Sequence, residues 1–149
     1  MRWIVLLALL AVAAEAWALQ EPKLYSICDG AIRDRVRTPS GYKRLAVTED
    51  NKVMPRAEYL ALLKQETSKT LYNARLNAYE KGDLVPTNYT LIIEYEAPNA
   101  YGTPVRSFST CEYFDGSGSL EYVTKNSVKI DGKTSTDLLV DQARSLYSK

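Results

Sequence analysis

The stretch NYTLIIEYEAPNAYGTPVRSFSTCEYF, residues 88–114, decides how the rest of the chain folds. Residues 89–97 are rich in β-branched and aromatic side chains, which suit a pleated surface. A period of two sets Leu91, Ile93, Tyr95 and Ala97 on one face, and Thr90, Ile92, Glu94 and Glu96 on the other. Pro98, Asn99, Ala100, Tyr101, Gly102 and Thr103 carry turn chemistry, because proline presets φ and Asn and Gly tolerate a positive one. Residues 104–114 then read as a second strand, with Val105, Ser107, Ser109, Cys111 and Tyr113 on one side.

Register follows from which faces must meet. Placing Ala97 opposite Val105 brings Tyr95 to Ser107, Ile93 to Ser109 and Leu91 to Cys111. Large residues then face small ones and the cysteine points inward. The same register sets Glu96 across from Arg106 on the wetter face, a favourable cross-strand pair.

Working outward, residues 22–36 predict a helix, with Leu24, Ile27, Cys28, Ala31, Ile32 and Val36 in one apolar stripe. Arg33, Arg35 and Arg37 fall on its outer side and read as a solvated face. Residues 42–48 suit a short strand. Residues 55–81 predict a long helix, opened by Pro55 and closed by Lys81-Gly82. Its weakest point is Thr67-Ser68-Lys69-Thr70, where a kink or break is expected. After the hairpin, residues 115–119 read as a flexible turn, 120–124 as a third strand and 127–130 as a short edge strand. Residues 134–148 predict a final helix that buries Leu138, Leu139, Gln142, Ala143, Leu146 and Tyr147. Thr134 with Asp137 resembles a capping box.

Consecutive strands joined by short turns imply antiparallel pairing. The expected fold is therefore α+β: a curved antiparallel sheet of about three to five strands with helices on one face. The first 18 residues fit a secretory signal, with Arg2 as its positive start, an apolar run over residues 3–14 and small residues at Ala14, Ala16 and Ala18. That run is shorter than the ~20 apolar residues of a membrane span. The expectation is that residues 19–149 make one domain, exported to a periplasm or secreted, with no membrane anchor after cleavage.

An exported chain with Cys28 and Cys111 suggests a disulfide; two buried thiols are the alternative. Two thiolates without any histidine make a poor zinc site. A zero histidine count also removes histidine-dependent triads. No glycine-rich phosphate loop opens a helix, so no cofactor is implied. A net charge of +1 offers no strong field for nucleic acid. Asn88-Tyr89-Thr90 fits a glycosylation sequon. Glu94, Glu96 and Glu112 are the only catalytic candidates, and a solvated strand face, with Glu96 paired to Arg106, accounts for them better.

Asn99-Ala100-Tyr101-Gly102-Thr103-Pro104-Val105-Arg106, followed by Cys111, resembles a pattern in small uncharacterised exported bacterial proteins. There an Asn-x-aromatic-Gly turn precedes a strand with a basic residue and a cysteine, and an earlier cysteine corresponds to Cys28. The resemblance implies fold and export and supplies no mechanism. The insertion at residues 55–81 departs from the pattern.

The function expected from these residues is a non-catalytic binding module that meets an envelope or extracellular protein. Tyr89, Tyr101, Arg106 and Tyr113 are its candidate surface, since tyrosine gives contact area at low entropy cost. The alternatives are a carboxylate-dependent hydrolase of cell-wall glycan and a small lipid or ligand carrier. The carrier would require an apolar cavity between the sheet and the helix of residues 55–81.

Overall fold

A computed structural model describes residues 21–147; the signal-like segment of residues 1–18 lies outside them. The chain folds as α+β, and the described residues form four α-helices and an open antiparallel sheet of five strands. In order, α1 is Lys23–Arg33, β1 Lys43–Glu49, β2 Lys52–Val53, α2 Arg56–Leu63, α3 Lys69–Glu80, β3 Thr87–Pro98, β4 Pro104–Asp115, β5 Lys129–Ile130 and α4 Ser135–Tyr147. The sheet runs β1-β3-β4-β5, with β2 continuing the edge beside β3.

The β3–β4 hairpin has the expected register throughout. Ala97 faces Val105, Tyr95 faces Ser107, Ile93 faces Ser109 and Leu91 faces Cys111. Asn99 closes the turn by accepting from the backbone N–H groups of Tyr101 and Thr103. Glu96 does stand opposite Arg106, but the ion pair forms diagonally, from Arg106 to Glu94 at 3.2 Å. A long guanidinium stem reaches the diagonal neighbour as easily as the direct one.

α1 lies on the inner face. Leu24, Cys28, Ala31 and Ile32 pack with Leu91, Ile93, Cys111, Val123, Val128 and Ile130 into one core cluster. Inside it Cys28 and Cys111 form a disulfide across 83 residues, with Cα atoms 5.9 Å apart. Arg35 is no part of a solvated face. It donates to the carbonyls of Ile130 and Lys133, both at 2.8 Å, and ties the end of α1 to the far side of the sheet. Arg33 pairs with Asp29 at 2.9 Å and sits 5.4 Å above the Tyr42 ring.

Three of the expected helices and strands also require correction. Residues 55–81 form two helices, because Ser68 caps a new start by accepting from the Leu71 N–H. The break falls in the expected Thr67-to-Thr70 stretch, and the chain turns back there as a helical hairpin. Its open end is bridged by Arg56 and Glu80 at 2.6 Å, its turn by Arg75 and Glu66 at 3.0 Å.

Residues 120–124 are not a strand. Side-chain oxygens take their backbone donors: Asp115 accepts from Leu120, Ser119 from Glu121 and Ser127 from Thr124. Such local bonds compete directly with a ladder. Leu120 adopts a left-handed φ of 56°, which ends any extended run. Val123 and Val128 are still fully buried, so the segment serves the core without joining the sheet.

The third correction concerns α4. The capping box is present, with Thr134 and Asp137 exchanging bonds. The apolar side, however, is not covered by any described residue: none of its own residues is buried, and Leu146 is 78% exposed.

Candidate functional site

Two apolar residues of α2, Tyr59 and Leu63, are buried away from the main core cluster. They form the floor of a groove of about 660 Å³ between the helical hairpin and the end of β4. Leu62, Leu84, Phe114 and Tyr122 supply further apolar wall. The Glu66–Arg75 ion pair and Ser117 add polar groups to its lining.

Each wall has a local cause. On the helical side, the Tyr59 and Tyr79 rings pack with centroids 4.7 Å apart and hold α2 against α3. Burial, followed by the neighbouring Tyr79, raises the Tyr59 phenol above its ordinary pKa, against a lowering by Arg75. The ring is therefore neutral at physiological pH.

On the sheet side, the DGSGS segment is a structured loop. Asp115 Oδ1 accepts from Ser117 N and Ser117 Oγ, both at 2.6 Å, and from Gly118 N at 2.8 Å. Asp115 Oδ2 accepts from Leu120 N at 3.2 Å. Burial pushes the Asp115 carboxyl up, but these bonds outweigh it and hold the group below its ordinary value. Val85 N–H donates to Ser117 O, fastening the entry to β3 onto this loop. Gly118 sits at φ +79°, and a Cβ there would stand 2.6 Å from Val85 O. Only glycine allows that approach.

The four residues expected to make one surface fall in two places. Tyr89 and Tyr113 face each other directly across β3 and β4, both half-buried. Tyr89 donates to Gly118 O at 2.9 Å, so its hydroxyl supports the loop. Tyr113 lines the large groove, and it also lines a smaller one of about 330 Å³ with Glu112 and Lys129. Burial, with Asp115 next, raises its phenol. Tyr101, 93% exposed, is at the hairpin tip, and Arg106 is on the outer sheet face. Roughly 30 Å of strand separates Tyr101 from Tyr113.

The carboxylates of the hydrolase alternative are divided as well. Glu94 holds Arg106 on the outer face, while Glu112 borders the smaller groove. Asn88 of the sequon lies within β3 between β2 and β4. Among the described residues, no group of three or more Cys, Asp or Glu is placed to hold a metal ion. No described helix is long and apolar enough to cross a membrane.

Sequence reasoning did not find Tyr59, Leu62, Leu63 and Tyr122. The signal was available in part, because Leu60, Leu63, Leu71, Ala74 and Ala78 make one apolar stripe along residues 55–81, and Tyr59 and Leu62 widen it beyond what one packed face requires. No family model, no curated protein and no solved structure matches the chain.

Proposed function

We propose that the protein is an exported, non-catalytic binding module that receives an apolar, aromatic-rich segment of an envelope or extracellular protein in the groove between the helical hairpin and the DGSGS loop. The apolar groove with a few polar groups in its lining is the observation that carries this reading, since binding sites are typically concave and apolar with a few orienting polar groups. Tyr59, Tyr113 and Tyr122 combine large contact area with few rotatable bonds, as recognition residues do. The buried disulfide is compatible with an oxidising compartment and so with export. The resemblance of residues 99–111 to small exported bacterial proteins points the same way.

Site-specific photocrosslinking tests the reading. A crosslinking residue at Leu62 or Tyr122 captures one and the same envelope partner, and the same residue at Tyr101 does not. Equal capture from all three positions, or none from the groove, defeats it.

A second reading has a specific observation behind it. The carrier alternative requires an apolar cavity between the sheet and the helix of residues 55–81, and the apolar wall of the groove supports it. Its volume of about 660 Å³ is within the range of small-molecule sites. Native mass spectrometry separates the two: a co-purifying lipid-sized adduct lost in Leu63→Asp marks a carrier.

A further inference from the structure

The outer edge of β4 is covered along only part of its length. β5 pairs with it at Cys111 and Glu112 alone. One residue further on, Asp131 stands in for a strand. Its N–H donates to Thr110 O at 2.8 Å, and its Oδ1 accepts from Thr110 N at 2.9 Å. There the pairing stops.

That last bond pair fixes the direction of the main chain. Thr110 turns both its N–H and its C=O away from β3. The β3–β4 register runs without a bulge from Thr87↔Asp115 to Pro98↔Pro104. By the period of two, Arg106 and Phe108 also direct both groups outward. Among the described residues no strand pairs with either on that side.

The opposite edge of the sheet is protected. β1 carries an irregularity between Arg44 and Ala46, and it has charged residues at Lys43, Arg44 and Glu49. Bulges and charges are the usual guards of an edge. The open length of β4 has one charged residue, Arg106, and an adjoining Phe108 that is 64% exposed.

We propose that this open edge of β4 pairs antiparallel with the same edge of a second copy of the chain, about a two-fold axis at Ser107. The register follows by elimination. Outward groups meet only when even-numbered residues oppose each other. An axis at Arg106 sets two guanidinium groups face to face and uses Pro104, which has no N–H to give. An axis at Phe108 requires Thr110, which Asp131 already occupies. An axis at Ser107 opposes Arg106 to Phe108 of the second copy, and Phe108 to its Arg106. Each pair exchanges two main-chain bonds, roughly four in all. Both side chains lie on the outer face, so each guanidinium rests against an aromatic ring, an attractive arrangement. The interface is isologous, as a closed dimer requires.

Cysteine crosslinking with sedimentation tests this. At the axis, the two Ser107 residues form a non-hydrogen-bonded pair with Cα atoms about 4.5 Å apart, within disulfide reach. Purified Ser107→Cys therefore becomes a covalent dimer on mild oxidation. Val105→Cys does not, because the axis places the two Val105 residues roughly four strand positions, about 13 Å, apart. The unmodified protein shows a concentration-dependent monomer–dimer equilibrium in sedimentation. Phe108→Lys, which sets like charges across the edge, weakens that dimer by about tenfold or more. A monomer at every concentration up to the solubility limit overturns the proposal. So does Ser107→Cys crosslinking no faster than Val105→Cys. An edge that stays monomeric but takes up an extended foreign peptide also overturns it. The groove reading is untouched by any of these results, since no residue of the groove lies in the paired stretch.

Discussion

Asp115 shows how much of the groove depends on one side chain. Four donors converge on its carboxylate, and three of them are backbone N–H groups with no helix or ladder of their own. Asp115→Ala leaves them without an acceptor and costs about 2–3 kcal/mol, read from urea unfolding. The pH dependence has a definite sign. The folded carboxyl lies below its ordinary value of 3.8, so its contribution is complete above that value and is lost as pH falls through the folded one. Asp115→Asn therefore flattens the acid limb of the stability profile. Tyr25 works in the opposite direction. Its hydrogen bond to Glu49, then burial, pushes the phenol from 10.0 up to about 12. A raised pKa gives stability that is present below 10.0 and disappears as pH rises through about 12. Tyr25→Phe is expected to remove that part of the alkaline limb, measurable as a smaller loss of helical circular dichroism across the window.

At the scale of elements, legibility in the sequence depended on whether a segment's partners are close in the chain. The β3–β4 hairpin was readable to the residue, because its turn chemistry and its inward Cys111 leave one register that satisfies both faces. The division of residues 55–81 was visible as a weak stretch. That the chain reverses there was not, since the Arg56–Glu80 and Arg75–Glu66 pairs exist only after reversal. The absent third strand was hidden for a related reason: Val123 does bury as a strand residue would, while side-chain oxygens hold the backbone around it. The groove was mostly illegible, being assembled from α2, the entry to β3 and the end of β4. Periodicity also cannot say whether an apolar stripe has a neighbour, and α4 illustrates this. Leu146→Ser in α4 is expected to change stability by less than about 0.5 kcal/mol, as at an exposed site. Leu63→Ala in α2, where the side chain is buried, costs about 2–5 kcal/mol. A parallel denaturant titration of the two variants checks both figures; comparable losses would mean that α4 is covered in solution.

For the molecule as a whole, the described residues pack one face of the sheet and leave the other open, and the disulfide belongs to the packed one. α1 covers β3 and β4 from the inside, but its connection to them along the chain is long, running through two short strands and two helices before the hairpin begins. Closing that path by a covalent bond removes many open conformations, worth roughly 4–5 kcal/mol in the chain-entropy account. Packing alone has little margin to replace it, because a chain of this size is stable by only about 5–15 kcal/mol. Both sulfurs are buried, with Cys28 at 0% and Cys111 at 1% exposure. A reductant must therefore wait for the core to open before it can attack, and reduction should track global unfolding. Three measurements follow from that coupling. The native protein resists thiol alkylation unless reductant and denaturant are present together. The double variant Cys28→Ala, Cys111→Ala loses about 2–5 kcal/mol in urea titration. Rapid reduction of the native protein without denaturant would show that α1 lifts from the sheet on its own, and the single cooperative core described by Leu24, Ile32, Leu91 and Ile93 would then have to be divided.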